Sequence, residues 1–244
     1  MNNNKRQILV IVEGSKTDYN LMTHLLNIYG IIKNHNVVAY DTNIYSLYNV
    51  VFANGEPDSI DILQSLKEHE KDLRKKQIFD QRYTDILLIF DFDPQDPNFA
   101  PEKIIEMSNF FIESSDMGKL YLNYPMVEAF YHMKSIPDDD YNTYNVSMEE
   151  LQNHLYKARV SRENRNHDYR KFAANKFECN IVIKQNIIKA NYIAGSKNTI
   201  ENVLPQAIDI LNSQLMSMKN NNLISVLSTC VFYIFDYNPN LLND

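Results

Sequence analysis

Three acidic side chains stand where two apolar runs stop. Q-I-L-V-I-V-E-G-S-K-T-D puts Glu13 directly after Ile8 to Val12, and D-I-L-L-I-F-D-F-D-P-Q-D puts Asp91 and Asp93, with Asp96 close behind, after a second run. Carboxylates gathered at the ends of buried strands cost free energy unless a cation or a shared proton neutralises them. Mg²⁺ suits such a cluster, because it keeps several waters and takes a few carboxylates plus substrate phosphate oxygens. An ion held there polarises a phosphodiester and generates hydroxide, with a second metal stabilising the leaving oxygen. Residues i and i+2 of an extended backbone project to the same side. Asp91 and Asp93 are therefore expected to share one cation, or two between them with Glu13. The competing reading is an acidic strand-to-helix turn in which Asp caps the next helix.

The elements that must position these groups alternate strand and helix. Ile8 to Val12 is continuous and β-branched, the pattern of a strand buried on both faces. Gly14 and Ser15 make a turn, and Leu21, Met22, Leu25, Leu26, Ile28 and Tyr29 follow at helical spacing up to Gly30. Asn36–Tyr40 reads as a short strand and Asn43–Phe52 as a further extended piece. N-G-E-P-D is a loop. Ser59 to about Lys76 reads as one exposed helix with Ile60, Leu63, Leu66 and Leu73 on its buried stripe. Thr84–Phe90 is the second apolar strand, Glu102 to Glu113 a helix after a proline-rich loop, and Gly118–Asn123 a third core strand. This βαβ alternation predicts an α/β domain, with a mostly parallel sheet flanked by helices, over 1–136. D-D-D-Y-N-T-Y-N reads as a polar linker into a mostly helical region, 137–244, where Ser147 and Glu150 resemble a capping box. The apolar tail T-C-V-F-Y-I-F-D-Y fits a last helix or an added edge strand.

Charge is uneven. The chain carries a net −7 over 244 residues, which argues against a general nucleic-acid binder. Yet Lys157 to Lys197 holds ten basic residues against Glu163, Asp168 and Glu178, a local +7 that leaves −14 for the remainder. Within it Arg159, Arg162, Arg165, Arg170 and Lys171 are candidates to hold a polyanion backbone, as is Lys16 beside Glu13; a solvated helix face is the plain alternative. Lys16 and Lys119 are also placed to reach a phosphate, Tyr121, Tyr124 and Tyr131 are either core or base-stacking groups, and His132 reads as a packed residue. Cys179 and Cys230 lack C-x-x-C spacing and read as buried free thiols. No apolar stretch approaches the roughly 20 residues of a membrane span. The opening M-N-N-N-K-R leads into no apolar leader. A cytoplasmic, non-membrane protein is expected.

A family resemblance rests on three stretches. V-E-G-S-K-T-D-Y-N-L-M is similar to the E-G-x-K-T-E-x-x-Y-F opening of RloB-type TOPRIM proteins. I-F-D-F-D matches the hydrophobic-D-x-D motif of TOPRIM domains, and L-N-Y-P-M-V-E-A-F-Y-H-M-K resembles the third RloB-type element, S-N-P-x-F-E-x-W-x-x-x-H-F. Together they span Ile8 to about Met133. The resemblance implies a TOPRIM, Rossmann-like fold, with Glu13 as acid/base or metal ligand and Asp91 and Asp93 as Mg²⁺ ligands, Mn²⁺ being a substitute. It also implies Glu128 as an accessory acidic ligand. The chain departs at Asp18, where the family has glutamate, at Tyr124, where asparagine precedes the proline, and at Val127 and Ala129.

The expected activity is Mg²⁺-dependent hydrolysis of DNA or RNA, and RloB-type and OLD-type relatives imply a bacterial anti-phage or mobile-element setting. No G-x-x-x-x-G-K-[ST] is present, so any ATPase motor would be a separate defence-system subunit; an oligomer is compatible with all of this. A haloacid-dehalogenase phosphatase wants Thr or Val where Gln95 stands, and glycosyltransferases use D-x-D without the E-G strand end. Two rivals remain: a non-catalytic TOPRIM-like module that binds nucleic acid or protein, and a primase-like nucleotidyltransferase.

Overall fold

The computed structural model describes residues 7–52, 61–115, 117–196 and 203–243. It is an α/β structure. Strand β1 (Ile8–Val12) is buried at every position, as its unbroken apolar sequence requires. It pairs in parallel with β2 (His35–Ala39) on one side and β3 (Asp85–Asp91) on the other. β4 (Ile112–Glu113) and β5 (Gly118–Asn123) complete a mixed, mostly parallel five-stranded sheet in the order β2-β1-β3-β5-β4, with β4 antiparallel to β5.

Two compact units partition the chain: Met1–Phe90 with Ala100–Tyr121, and Asp91–Phe99 with Leu122–Asp244. This is not the expected division at 136/137, because Leu122 to Ile136 packs with the helical region. In the first unit, α1 (Thr17–Ile28) buries Leu21, Met22, Leu25 and Leu26, each worth about 1.5–3 kcal/mol of transfer free energy. Gly30, at φ +69, then takes the left-handed turn that ends the helix. Asn43–Phe52 is not extended: α2 (Ile44–Phe52) is a helix whose first turn is held by Asn43, its Oδ1 accepting from the Ser46 N–H at 2.9 Å. The single helix expected over Ser59–Lys76 is two, α3 (Ile62–His69) and α4 (Leu73–Phe79), each with its own aspartate N-cap, Asp61 and Asp72. Two strong caps so close in sequence start two helices, and Leu73 is exposed rather than buried. N-G-E-P-D and Ile60 lie outside the described residues. α5 (Pro101–Phe110) carries proline at its start, where the missing N–H costs nothing.

In the second unit, β6 (Asn145–Ser147) and β7 (Leu223–Ser225) form an antiparallel pair that no sequence pattern announced. α6 (Met148–Gln152) is capped by Ser147, which accepts from the Glu150 N–H. α7 (Tyr156–Glu163), α8 (Lys176–Ile193), α9 (Ala207–Asn221) and α10 (Phe232–Tyr237) follow, so the apolar tail is a helix. D-D-D-Y-N-T-Y-N is no loose linker. Asp138 and Tyr141 are buried, and Asp138 accepts from the Lys134 N–H at 2.7 Å and the Tyr144 hydroxyl at 3.0 Å. Lys189 is fully buried under this segment, donating to the carbonyls of Tyr141 (2.7 Å) and Tyr144 (2.8 Å). It belongs to the core rather than to a basic surface, and burial pushes its amine well below the ordinary lysine value. Both cysteines are buried thiols outside any disulfide. Among the described residues no helix is long and apolar enough to cross a membrane.

Candidate metal centre

The sheet reverses its direction of growth at β1: the chain passes from β1 to β2 on one side, then returns to β3 on the other. Ligands of open α/β sheets sit at the carboxyl ends of the strands flanking such a point. The β1–β3 register pairs Val12 with Ile89, and the Glu13 N–H donates to the Ile89 carbonyl at 3.0 Å. Glu13 thus leaves the ladder beside the end of β3, where Asp91 is the terminal residue. Continued by one step, the register sets Glu13 beside Phe90, one residue short of Asp91. One carboxylate oxygen of each of Glu13, Asp91 and Asp93 lies within 4.8 Å of the others, close enough for a single cation to bridge them.

Gly14 follows Glu13 for a steric reason. A Cβ at this position would stand 2.8 Å from Oδ2 of the buried Asp18. The backbone therefore passes against the Asp18 carboxyl, and any larger residue has to displace that side chain or the turn.

Asp91 is 6% exposed and accepts a long hydrogen bond, 3.5 Å, from Nδ2 of the fully buried Asn123. Asn123 also accepts from the Cys230 N–H at 3.2 Å, and its carbonyl takes the Phe92 N–H at 2.9 Å. Asp93 is aimed differently from the expectation. β3 has ended, so Asp93 is not an alternate residue of an extended strand; it sits at φ +37, in left-handed space that Asp tolerates better than most residues. Its N–H donates to the Pro125 carbonyl (3.1 Å) and its Oδ1 accepts from Gln95 Nε2 (3.0 Å). Burial raises the Asp93 carboxyl above its ordinary value; the Gln95 hydrogen bond and Lys157 oppose the rise, while Glu128 and Asp96 add to it. A cation held there would favour the charged form.

Glu128 lies in a 3₁₀ turn, Val127–Tyr131, with 4% of its surface exposed. Its Oε1 is 3.2 Å from Lys157 Nζ, and its buried Oε2 has no hydrogen-bond partner. Burial works against the Lys157 ammonium, but Glu128, by charge and hydrogen bond, with Asp91 and Asp93, holds it above the ordinary lysine value. A cleft of about 80 Å³ lined by Gln95, Met126, Leu151, His154, Tyr156 and Lys157 opens beside these groups.

The other sequence candidates fare unevenly. Lys16 is exposed at the N-cap of α1. Arg159 is committed to Glu150 (3.1 Å) and the Asn145 carbonyl (2.8 Å), and Arg165 to Glu178 (2.9 Å). Arg162 is 70% exposed in loose contact with Glu163 (3.8 Å), Arg170 is 90% exposed but forks onto Asp168 with Nε and Nη2 each at 3.0 Å, and Lys171 is exposed. The expected basic arm therefore divides into structural and surface arginines, while Lys197 lies outside the described residues. Tyr121, Tyr124 and Tyr131 are buried and serve as core. His132 is packed between the Tyr156 hydroxyl (3.2 Å) and Glu163 (3.1 Å), and burial lowers it to about 4.

Sequence reasoning missed Lys157 and Gln95 as partners of the acidic groups. Gln95 stands two residues past Asp93, a signal within reach. Lys157 comes from a helix distant in sequence and carries no local mark.

Comparison with family models, with curated proteins and with solved structures found no match.

Proposed function

We propose that this chain is a divalent-metal-dependent nuclease of TOPRIM type, resembling RloB-type and OLD-type proteins and hydrolysing phosphodiesters of DNA or RNA in the bacterial cytoplasm. The observation that carries the reading is the convergence of Glu13, Asp91 and Asp93 where the sheet reverses. The residues present fit a Mg²⁺ ion: they offer hard oxygen donors, and the buried Glu128 Oε2 close by lacks a partner. When bound, such an ion supplies positive charge to a phosphate and lowers the pKa of its water.

The chain's own groups have distinct tasks in this reading. Asp91, steadied by Asn123, and Asp93, steadied by Gln95, hold the cation. Glu13, only half-buried, orients the attacking water and accepts its proton. The exposed Arg162, Arg170 and Lys171, with Lys16, steer the polyanion. A phage-defence or mobile-element role, with a separate ATPase or other subunit as partner, follows from the resemblance alone.

The test compares wild type with Glu13→Gln and Asp91→Asn for cleavage of DNA and RNA in Mg²⁺ or Mn²⁺, with thermal unfolding measured beside it. Expected is metal-dependent cleavage that falls by about 10²–10⁴ in either variant. Equal cleavage by all three proteins would defeat the reading. Absence of cleavage with a metal-raised Tm points to a binding module, and polymer formation from nucleoside triphosphates points to nucleotidyl transfer.

A further inference from the structure

Glu128 and Lys157 are the two groups at the site that a cluster of strand-end aspartates does not explain. A carboxylate that is 4% exposed needs compensation, and Glu128 receives it at one oxygen only, from Lys157 Nζ at 3.2 Å. The other oxygen, Oε2, is buried with no hydrogen-bond partner. A buried, unsatisfied carboxylate oxygen is costly and is found where a ligand completes the shell. Glu128 feels the charge of Asp93, and Lys157 feels the charges of Asp91, Asp93 and Glu128, so the four form one electrostatic group. Counting full charges, three carboxylates face one ammonium.

The Lys157 side chain is anchored weakly for such a place. It is 64% exposed, begins at the second residue of α7, and lines the open cleft with Gln95 and His154. A flexible four-carbon stem lets the ammonium swing into solvent without unpacking the core. Arginine would have locked the carboxylate with two parallel hydrogen bonds; lysine makes a point contact that a divalent cation can replace.

We propose that Lys157 is a built-in, displaceable cation that keeps Glu128 out of the metal's ligand set, so that the protein takes one divalent ion on Glu13, Asp91 and Asp93 and opens a second position at Glu128 and Asp93 only when Lys157 leaves. This rests on the metal-site reading above and adds to it a control over how many ions the site holds.

The measurement is Mn²⁺ binding to the full chain, by calorimetry and by the loss of free-ion electron paramagnetic resonance signal, for wild type, Lys157→Met, Lys157→Gln and Lys157→Met/Glu128→Gln. Circular dichroism and Tm check that each variant folds, and the exposed position of Lys157 favours this. One equivalent for wild type, two for both single variants and one again for the double variant is the expected pattern. One equivalent for a folded Lys157→Met, two for wild type, or two for the double variant each overturns the inference while leaving the metal site standing. No binding by wild type overturns the metal-site reading and this inference together.

Discussion

The side-chain amide of Asn123 is shared between the carboxylate of Asp91, in the acidic cluster, and the backbone of the helical region: Nδ2 points at Asp91 Oδ1 (3.5 Å) while Oδ1 takes the Cys230 N–H (3.2 Å). Both ends are buried, with Asn123 and Cys230 fully so and Asp91 at 6% exposure. The geometry fixes the amide orientation, since Oδ1 must face a donor and Nδ2 an acceptor. Asn123→Ala removes one acceptor from the Cys230 N–H and one donor from Asp91. Urea unfolding is expected to show a loss of about 1–3 kcal/mol, with a weaker metal response in the same protein. An unchanged midpoint would show that water replaces the amide at both ends.

Asp93 is expected to behave in the opposite sense. Its carboxyl is raised mainly by burial, with Glu128 and Asp96 adding to the rise. The sign follows from linkage: between the ordinary aspartate value and the raised one, the folded state binds more protons than the unfolded chain, so stability falls as pH rises through that window. At neutral pH, without metal, the charged group therefore costs stability. Asp93→Asn removes that cost and keeps a residue at home at φ +37. The metal-free variant should melt above wild type at pH 7, and Mg²⁺ should no longer raise its Tm. A lower Tm without metal would mean that the carboxylate's hydrogen bonds outweigh the cost of burying its charge.

His132 gives a second pH dependence, of opposite sign to that of Asp93. Burial holds it at about 4 against an ordinary 6.5, although Glu163 pulls the other way. The unfolded chain takes up the proton first, so stability is intact above pH 6.5 and is lost as pH falls toward 4. Over the whole window the effect is about 2–3 kcal/mol. His132→Gln should flatten the wild-type curve of unfolding free energy between those pH values. An equally steep slope in the variant would assign the acid sensitivity to other groups.

Gly14→Ala tests the close approach behind Glu13. The new Cβ meets Asp18 Oδ2 at 2.8 Å, well inside contact distance, so the Asp18 carboxyl or the turn must yield, at a cost of about 1–3 kcal/mol. Because the turn carries Glu13, Mn²⁺ affinity should drop along with the Tm. Wild-type affinity in a destabilised variant would show that the Asp18 side chain gives way alone.

Strands β1 and β3 and their acidic ends are legible because burial on both faces leaves an unmistakable apolar run, and because Glu13 and Asp91 follow those runs directly. Ile44–Phe52 is a helix where the residue types suggest an extended piece. Its β-branched and aromatic residues favour strands, yet Ile44, Leu47 and Val51 keep a helical period and Asn43 caps the first turn. The Asp93 carboxylate lies near that of Asp91 by a left-handed backbone rather than by the expected strand alternation. Lys157 could not be read at all, because its meeting with Glu128 depends on how a distant helix packs. The basic segment misled for a related reason: counting charges does not reveal that Lys189 is interior or that Arg165 is spoken for.

That division among the basic residues separates binding from folding experimentally. Arg165 donates to Glu178 at 2.9 Å and its N–H to the Met133 carbonyl at 2.9 Å, so its side chain braces the loop before α8. Arg162, at 70% exposure, holds Glu163 only at 3.8 Å, an ion pair of negligible worth to the fold that a phosphate displaces. If the surface arginines hold a nucleic-acid backbone, Arg162→Ala should weaken binding alike for all sequences and lower the slope of log K against log salt by about 1, at unchanged Tm. Arg165→Ala should lower the Tm, by a few degrees for about 1 kcal/mol lost, and leave that slope alone. Fluorescence anisotropy on a labelled oligonucleotide across a salt series reads the first effect and thermal unfolding the second. A shallower salt slope in Arg165→Ala with wild-type behaviour in Arg162→Ala would place the polyanion against the opposite set of side chains.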